Sequence, residues 1–183
     1  FYGGQADLEK GIIRCVGRAE ERFEEDALRI LRGLRFASVL DFEIEYQTAR
    51  AMFEKRALLE CISAERISEE LKKLLCGKAA ERILNDYREI IAVIIPESRA
   101  CFDFRQNNPH HCYDVWRHIA KSVSMVRPEP VIRTAMLLHD IAKPQMATTD
   151  EQGVSHFKKH QYVSAELARG ILKRLKYDNR STE

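Results

Sequence analysis

With 183 residues, 45% hydrophobic and 32% charged, the chain is long enough for one compact helix-rich domain or two small ones. A net charge of +2 hides many balanced charges and does not argue for nucleic-acid binding, so any RNA contact must come from a local patch, and no apolar run nears the ~18 residues of a membrane span. The five cysteines, Cys15, Cys61, Cys76, Cys101 and Cys112, are odd in number and form no CxxC pair, which disfavours a disulfide framework or zinc knuckle and favours a reducing cytoplasm.

In chain order, a Gly3-Gly4 turn leads to residues 11–17, which read as a short strand closed by glycine. From about Glu20, the positions Phe23, Ala27, Ile30, Leu31, Leu34 and Phe36 recur at helical spacing and predict one helix. Gly33 inside it costs about 1 kcal/mol against alanine and permits close approach of a ligand or another helix. Tyr46 to Leu59 is a second helix. Ser63 is the N-cap of a third, with Ile67, Leu71, Leu74 and Leu75 as its buried stripe and Gly77 as its stop. A fourth runs from Ala79 to Ile95 and ends at Pro96. The polar stretch 98–108, closing on Asn107-Asn108-Pro109, is the expected domain boundary.

A helix then runs from His111 to Val126, with His110 and His111 at its loop edge. Val131 to Ala142 is a very apolar helix stopped by Pro144. Residues 148–154 are a loop, and His160 to Leu175 is the last helix. The expected fold class is mainly α, with one short strand near the start.

Two constellations carry chemistry. Asp26, Arg29, Arg32 and Arg35 are three apart, and three helical residues turn about 300°, so neighbours share a slowly drifting face. Asp26 and Arg29 side by side suit cytosine and adenine, which each show an amino donor beside a ring-nitrogen acceptor. Guanine and uracil reverse that pattern and leave both groups unpaired. Arg32 and Arg35 remain for phosphates or stacking. An exposed helix with weak i,i+3 ion pairs has the same spacing. The second constellation is His118, His139 and Asp140, three ligands for a divalent metal drawn from successive helices. His156 and His160 are candidate extra ligands or phosphate contacts. A His-Asp pair on its own is more often a satisfied core histidine.

Phe1-Tyr2-Gly3-Gly4-Gln5-Ala6-Asp7-Leu8, Glu25-Asp26-Ala27-Leu28-Arg29 and Ile62-Ser63-Ala64-Glu65-Arg66-Ile67-Ser68-Glu69-Glu70-Leu71 resemble, in order, three motifs of the bacterial class II tRNA nucleotidyltransferases, the CCA-adding enzyme and poly(A) polymerase family. The run Leu137-Leu138-His139-Asp140-Ile141-Ala142-Lys143-Pro144 resembles the HD phosphohydrolase superfamily. The resemblance implies an internal piece of a longer protein: residues 1–18 as the edge of a nucleotidyltransferase head, 19–100 as a nucleotide-selecting and RNA-binding helical neck, and 107–183 as a partial HD domain.

The resemblance also implies roles. Asp26 and Arg29 template incoming CTP and ATP, Arg32 and Arg35 contact nucleotide, and Glu65 and Arg66 brace the template. The partner is tRNA, and Mg2+ is held by head-domain carboxylates before Phe1, so these 183 residues alone are not expected to add nucleotides. The superfamily's fourth metal ligand is an aspartate expected beyond Glu183. Four positions depart from the family pattern: Arg18-Ala19 replaces Asp-Pro, and Asp41 and Lys159 stand where glycine is common. The alternatives are a poly(A) polymerase of the same family, a metal-dependent HD phosphohydrolase, and a non-catalytic RNA-binding helical module.

Overall fold

Helical patterning dictates most of the backbone in this computed structural model, which describes residues 3–106 and 113–178. Ten helices follow in order: α1 (Gly4–Lys10), α2 (Ala19–Glu25), α3 (Leu28–Leu40), α4 (Tyr46–Lys55), α5 (Ala64–Leu75), α6 (Ala80–Asp86), α7 (Arg88–Ile94), α8 (Val115–Met125), α9 (Pro130–Leu138) and α10 (His160–Arg174). Strand β1 (Ile12–Ile13) pairs in parallel with β2 (Glu43–Ile44), and β3 (Thr148–Thr149) pairs antiparallel with β4 (Ser155–His156). The fold is mainly α. The asparagine-proline boundary loop and His110 and His111 lie outside the described residues.

Several elements are shorter than their patterning predicts, each for a local reason. The helix expected from Glu20 breaks at Asp26, which is extended (φ −152, ψ 99) and accepts the Leu28 amide on Oδ1 at 3.2 Å. A side chain that bonds a nearby amide competes with the helix. The helix expected over 79–95 breaks at Tyr87, whose ring stacks on Phe53 at 5.5 Å. The second helix ends at Lys55 and continues as a 3-10 turn, Arg56–Cys61. The apolar helix ends at Leu138, four residues early, and Pro144 sits in a 3-10 turn, Lys143–Met146. The expected strand over 11–17 shrinks to two residues, and the 148–154 loop is the tip of a hairpin.

Helix α5 packs on α3 through the stripe the sequence marks, with Ile67, Leu71, Leu74 and Leu75 all buried. Ser63 precedes it in extended conformation, but its hydroxyl makes no cap bond. Gly77 is needed for contact rather than for stopping the helix: a Cβ there would lie 2.1 Å from Ser38 Oγ and 2.5 Å from its carbonyl carbon. Ser38 also donates to Leu74 O at 2.7 Å, which ties α3 to the end of α5. A Cβ on Gly33 would lie 2.3 Å from Met52 Cε on α4, the far end of a flexible side chain that can swing aside. Phe36, counted among the apolar periodic positions, is 45% exposed, with the Arg35 guanidinium over its ring.

One apolar cluster runs from Ala19 to Leu175 without a gap between the halves. Trp116 on α8 is 1% exposed and donates from Nε1 to Leu84 O on α6 at 3.1 Å. Arg133 on α9 is 7% exposed and donates to Leu75 O, Gly77 O and Val126 O. Arg174 forks onto Glu97 at 2.7 and 2.8 Å.

The two positions where glycine is common in the family both have left-handed backbones, Asp41 at φ 59 and Lys159 at φ 64. Each carries a Cβ in a region that costs L-residues roughly 1 kcal/mol or more. Asp41 is partly compensated by Arg82 at 3.2 Å.

Lys159 is exposed, so Lys159→Gly should stabilise the chain by about 1 kcal/mol and raise the melting temperature by roughly 2–4 °C in calorimetry. Arg133→Met should strand three carbonyls short of a donor and cost about 3 kcal/mol, lowering the midpoint by roughly 6–12 °C.

Candidate functional site

The break at Asp26 shapes the first candidate site. Asp26 and Arg29 were expected on one face of one helix. Asp26 instead lies on the connector ahead of α3, and only Arg29, Arg32 and Arg35 share that helix. The two residues do not pair with each other. Asp26 is held by Arg66 from α5, with Nη2 at 3.0 Å from Oδ2 and 3.3 Å from Oδ1. Arg29 donates to Glu25 Oε2 at 2.7 Å and to Arg22 O at 2.8 Å. The Glu25 hydrogen bond is the largest influence holding the Arg29 guanidinium above its ordinary pKa, and the nearby Asp26 charge adds to it. The same bond holds Glu25 below the usual carboxylate range.

Glu70 is a member the spacing argument did not single out. It is 7% exposed and lies between Arg32 Nε at 3.5 Å and Arg35 Nε at 3.1 Å. A cavity of about 220 Å³ opens beside this face, lined by Arg29, Arg32, Gly33, Phe36, Phe23 and Cys15. Two guanidinium groups next to a half-exposed aromatic ring suit a planar, anionic ligand.

The second candidate site gathers around Asp140, which is 3% exposed. Its Oδ2 lies 3.2 Å from His118 Nε2, 3.1 Å from His139 Nε2 and 2.7 Å from Lys143 Nζ. Its Oδ1 lies 3.1 Å from His160 Nε2. Burial pushes the Asp140 carboxyl upward, but hydrogen bonds from His118, His139 and Lys143 prevail and hold it well below the carboxylate range. The ligand atoms of His118, His139 and Asp140 fall within 4.8 Å of one another.

The histidine tautomers test whether a metal fits. His139 Nδ1 lies 2.7 Å from Met136 O, and His160 Nδ1 lies 2.6 Å from Phe157 O. A carbonyl only accepts, so each Nδ1 carries a proton and each ring turns Nε2 toward the carboxylate. Each Nε2 meets the carboxylate through a cation between them, a proton in the hydrogen bonds described above or a metal ion in its place. Imidazole with carboxylate is the donor set of a divalent transition ion. Backbone carbonyls orienting the far ring nitrogens are the usual support for such ligands. The site can therefore hold a divalent metal.

The structure brings His118, His139, Asp140 and His160 together. His156 is engaged elsewhere, with Nε2 at 2.7 Å from Asp150 Oδ2 on the hairpin. Lys143 was missed as a member, although its place three residues after Asp140 was the available signal.

Comparison with known proteins finds a family match in each half of the chain. Residues 41–101 match the family described as a probable RNA and SrmB-binding site of polymerase A, and residues 110–182 match the HD domain. A CCA-adding enzyme of Streptococcus thermophilus is 58% identical over 74 residues, covering 40% of this chain and 18% of that enzyme. One of Bacillus licheniformis is 51% identical over 84 residues, covering 46% and 21%. The matched stretches thus span about a fifth of the length of these curated relatives.

The solved Bacillus stearothermophilus CCA-adding enzyme in complex with CTP aligns over 99% of this chain and 38% of its own, at 25% identity and a TM-score of 0.54. The Thermotoga maritima CCA-adding enzyme complexed with tRNA-CCA shares the fold at a TM-score of 0.57 and 22% identity. The chain thus carries a segment similar to the polymerase A RNA-binding site, then an HD domain, on a fold shared with these CCA-adding enzymes.

Proposed function

We propose that the chain is the nucleotide-selecting neck, about residues 19–100, and part of the HD unit, about 107–183, of a cytoplasmic tRNA nucleotidyltransferase. The parent adds C, C and A to tRNA 3′ ends from CTP and ATP. Residues 1–18 border its head domain, which supplies the carboxylates for Mg2+ and the transfer chemistry. The observation that carries this reading is the separate anchoring of Asp26 by Arg66 and of Arg29 by Glu25. Each selecting group is held by its own partner before a base arrives, so little rotamer freedom is lost on binding.

Selection follows from hydrogen-bond polarity. A carboxylate has about four acceptor sites, and Arg66 and the Leu28 amide leave capacity on Asp26 Oδ2 for an exocyclic amino group. Arg29 uses Nη1 for Glu25 and Arg22, and its remaining N–H groups reach a ring nitrogen. Guanine and uracil offer a carbonyl to the carboxylate and an N–H to the guanidinium, and both contacts fail. Arg32 and Arg35, set by Glu70, face the triphosphate or stack on a base.

The Asp140 cluster supports a second activity, hydrolysis of a phosphate ester. A divalent ion held by His118, His139 and Asp140 supplies Lewis acidity toward phosphoryl oxygen. The chain's own residues fix the imidazoles through the Met136 and Phe157 carbonyls and keep the carboxylate ionised.

The parent polypeptide, given tRNA lacking its CCA end and each labelled nucleoside triphosphate in turn, should add C, C and A and stop. Asp26→Ala and Arg29→Ala should each cut discrimination against G and U by roughly two orders of magnitude, and Arg66→Ala by less. Long A tails would identify a poly(A) polymerase instead, and unaltered selection in both variants would sink the template reading. In the 183-residue chain, saturating Mn2+ should raise the melting temperature by several degrees, as differential binding to the folded state requires. His139→Ala should abolish the rise, and an equal rise in both would refute the metal reading.

A further inference from the structure

Among the periodic apolar positions Phe23, Ala27, Ile30, Leu31, Leu34 and Phe36, all are buried except Phe36, which is 45% exposed. Its ring is nevertheless held in place. The Arg35 guanidinium carbon lies 4.0 Å from the ring centroid, and Arg35 Nε lies 3.1 Å from Glu70 Oε2. A cation over an aromatic face is attracted by the ring quadrupole. Glu70 is itself buried, so a buried carboxylate fixes the cation that covers one face of the ring.

Phe36 borders the cavity of about 220 Å³, whereas Arg35 is not among its lining residues. The cation thus sits on the side of the ring away from the cavity. Arg14 and Cys15, just after β1, form one wall and Arg29 and Arg32 another, so the cavity lies between the head-bordering strand and α3. Its volume is below the about 300–1,000 Å³ of a site that encloses a whole small molecule, which suits one planar ring. Position decides which ring. Phe36 stands two turns beyond Arg29 on the same face of α3, about 10 Å away at 1.5 Å per residue. Arg29 also reaches backward, to Glu25 and to Arg22 O. A base read at its edge by Asp26 and Arg29 therefore leaves the Phe36 ring for a second base. Arg32 lies between the two positions with its side chain 47% exposed, and it can meet a phosphate of the strand that carries the second base.

We propose that Phe36 is a stacking platform for an unpaired base at the 3′ end of the RNA being extended, with Arg35 and Glu70 as the residues that position it. The inference rests on the reading of the neck as nucleotide-selecting. Single-stranded RNA ends are recognised by stacking splayed bases on aromatic rings. Stacking tolerates any base, because every base has a π-face. An addition site needs that tolerance, since the 3′ base changes with each nucleotide added while the incoming base must be selected. Hydrogen-bond polarity at Asp26 and Arg29 and indifferent stacking at Phe36 divide these two tasks along one stretch of chain. A ring fixed in advance by Arg35 gives up little rotamer freedom when the base arrives.

The parent polypeptide, bound to an acceptor-stem minihelix whose unpaired 3′ base is 2-aminopurine, tests this by fluorescence, because stacking quenches that base. Wild type should quench it. Phe36→Leu keeps an apolar side chain at a half-exposed position, so its melting temperature should match wild type. It should lose most of the quench and bind the minihelix roughly tenfold more weakly, and Phe36→Trp should restore both. Glu70→Gln should give a smaller loss of quench. In steady-state addition, Phe36→Leu should raise KM for tRNA by a similar factor while KM for CTP and rejection of G and U stay as in wild type. A raised KM for CTP with an unchanged KM for tRNA would put the ring under the incoming nucleotide and overturn the proposal. An equal quench in wild type and Phe36→Leu would overturn it as well. If the parent adds no nucleotide yet shows a quench that depends on Phe36, the platform stands and only the nucleotide-selecting reading falls.

Discussion

Arg133 is a buried cation held by carbonyls rather than by a carboxylate. Its Nη1 donates to Leu75 O at 2.7 Å and Gly77 O at 3.0 Å, while Nε and Nη2 share Val126 O. Taking a guanidinium out of water costs several kcal/mol unless its donors are satisfied. The negative end of the α5 dipole, where Leu75 sits, offsets part of that cost. The geometry has little slack, because Gly77 is itself pressed against the Ser38 backbone. The end of α5, the turn after α3 and the start of α9 are consequently locked in one arrangement. Arg66, which holds Asp26, lies near the other end of α5, and His139 caps the other end of α9. Both candidate sites depend on the same joint.

The two sites use charge in opposite ways. Along α3 the cations have nearby acids, with Glu25 on Arg29 and Glu70 between Arg32 and Arg35. The acids offset part of the charge of the three arginines and fix the direction in which their remaining donors point. Around Asp140, one acid meets three imidazoles and an ammonium.

What was legible in the sequence was whatever depends on periodicity or on a motif. The stripe of α5, the mainly helical class, and the meeting of His118 with His139 and Asp140 all follow from residue type and spacing. Helix ends were less legible, because they turn on single side chains. Asp26 bonding a nearby amide and Tyr87 stacking on Phe53 leave no periodic trace. The pairing of β1 with β2 was invisible for the same reason, since two residues cannot display alternation. Asp41 and Lys159 were noted as departures from glycine, and the left-handed backbone at both gives the physical reason glycine is common there. Glu70 and Lys143 escaped notice because a buried charge is recognised by what surrounds it.

Trp116 has a consequence for how this protein can evolve or be recombined. Its indole proton is satisfied only by the Leu84 carbonyl across the boundary between the two halves, and its ring meets Phe102 edge-on at 5.0 Å. A chimera that joins this neck to another HD half at the 101–114 connection would inherit the indole without its acceptor, or the acceptor without its indole. The connection looks like a natural crossover point from sequence, yet the two sides share one interior. Exchange of the HD half therefore requires α6 and the end of α5 to travel with it, so the two halves are inherited as a block.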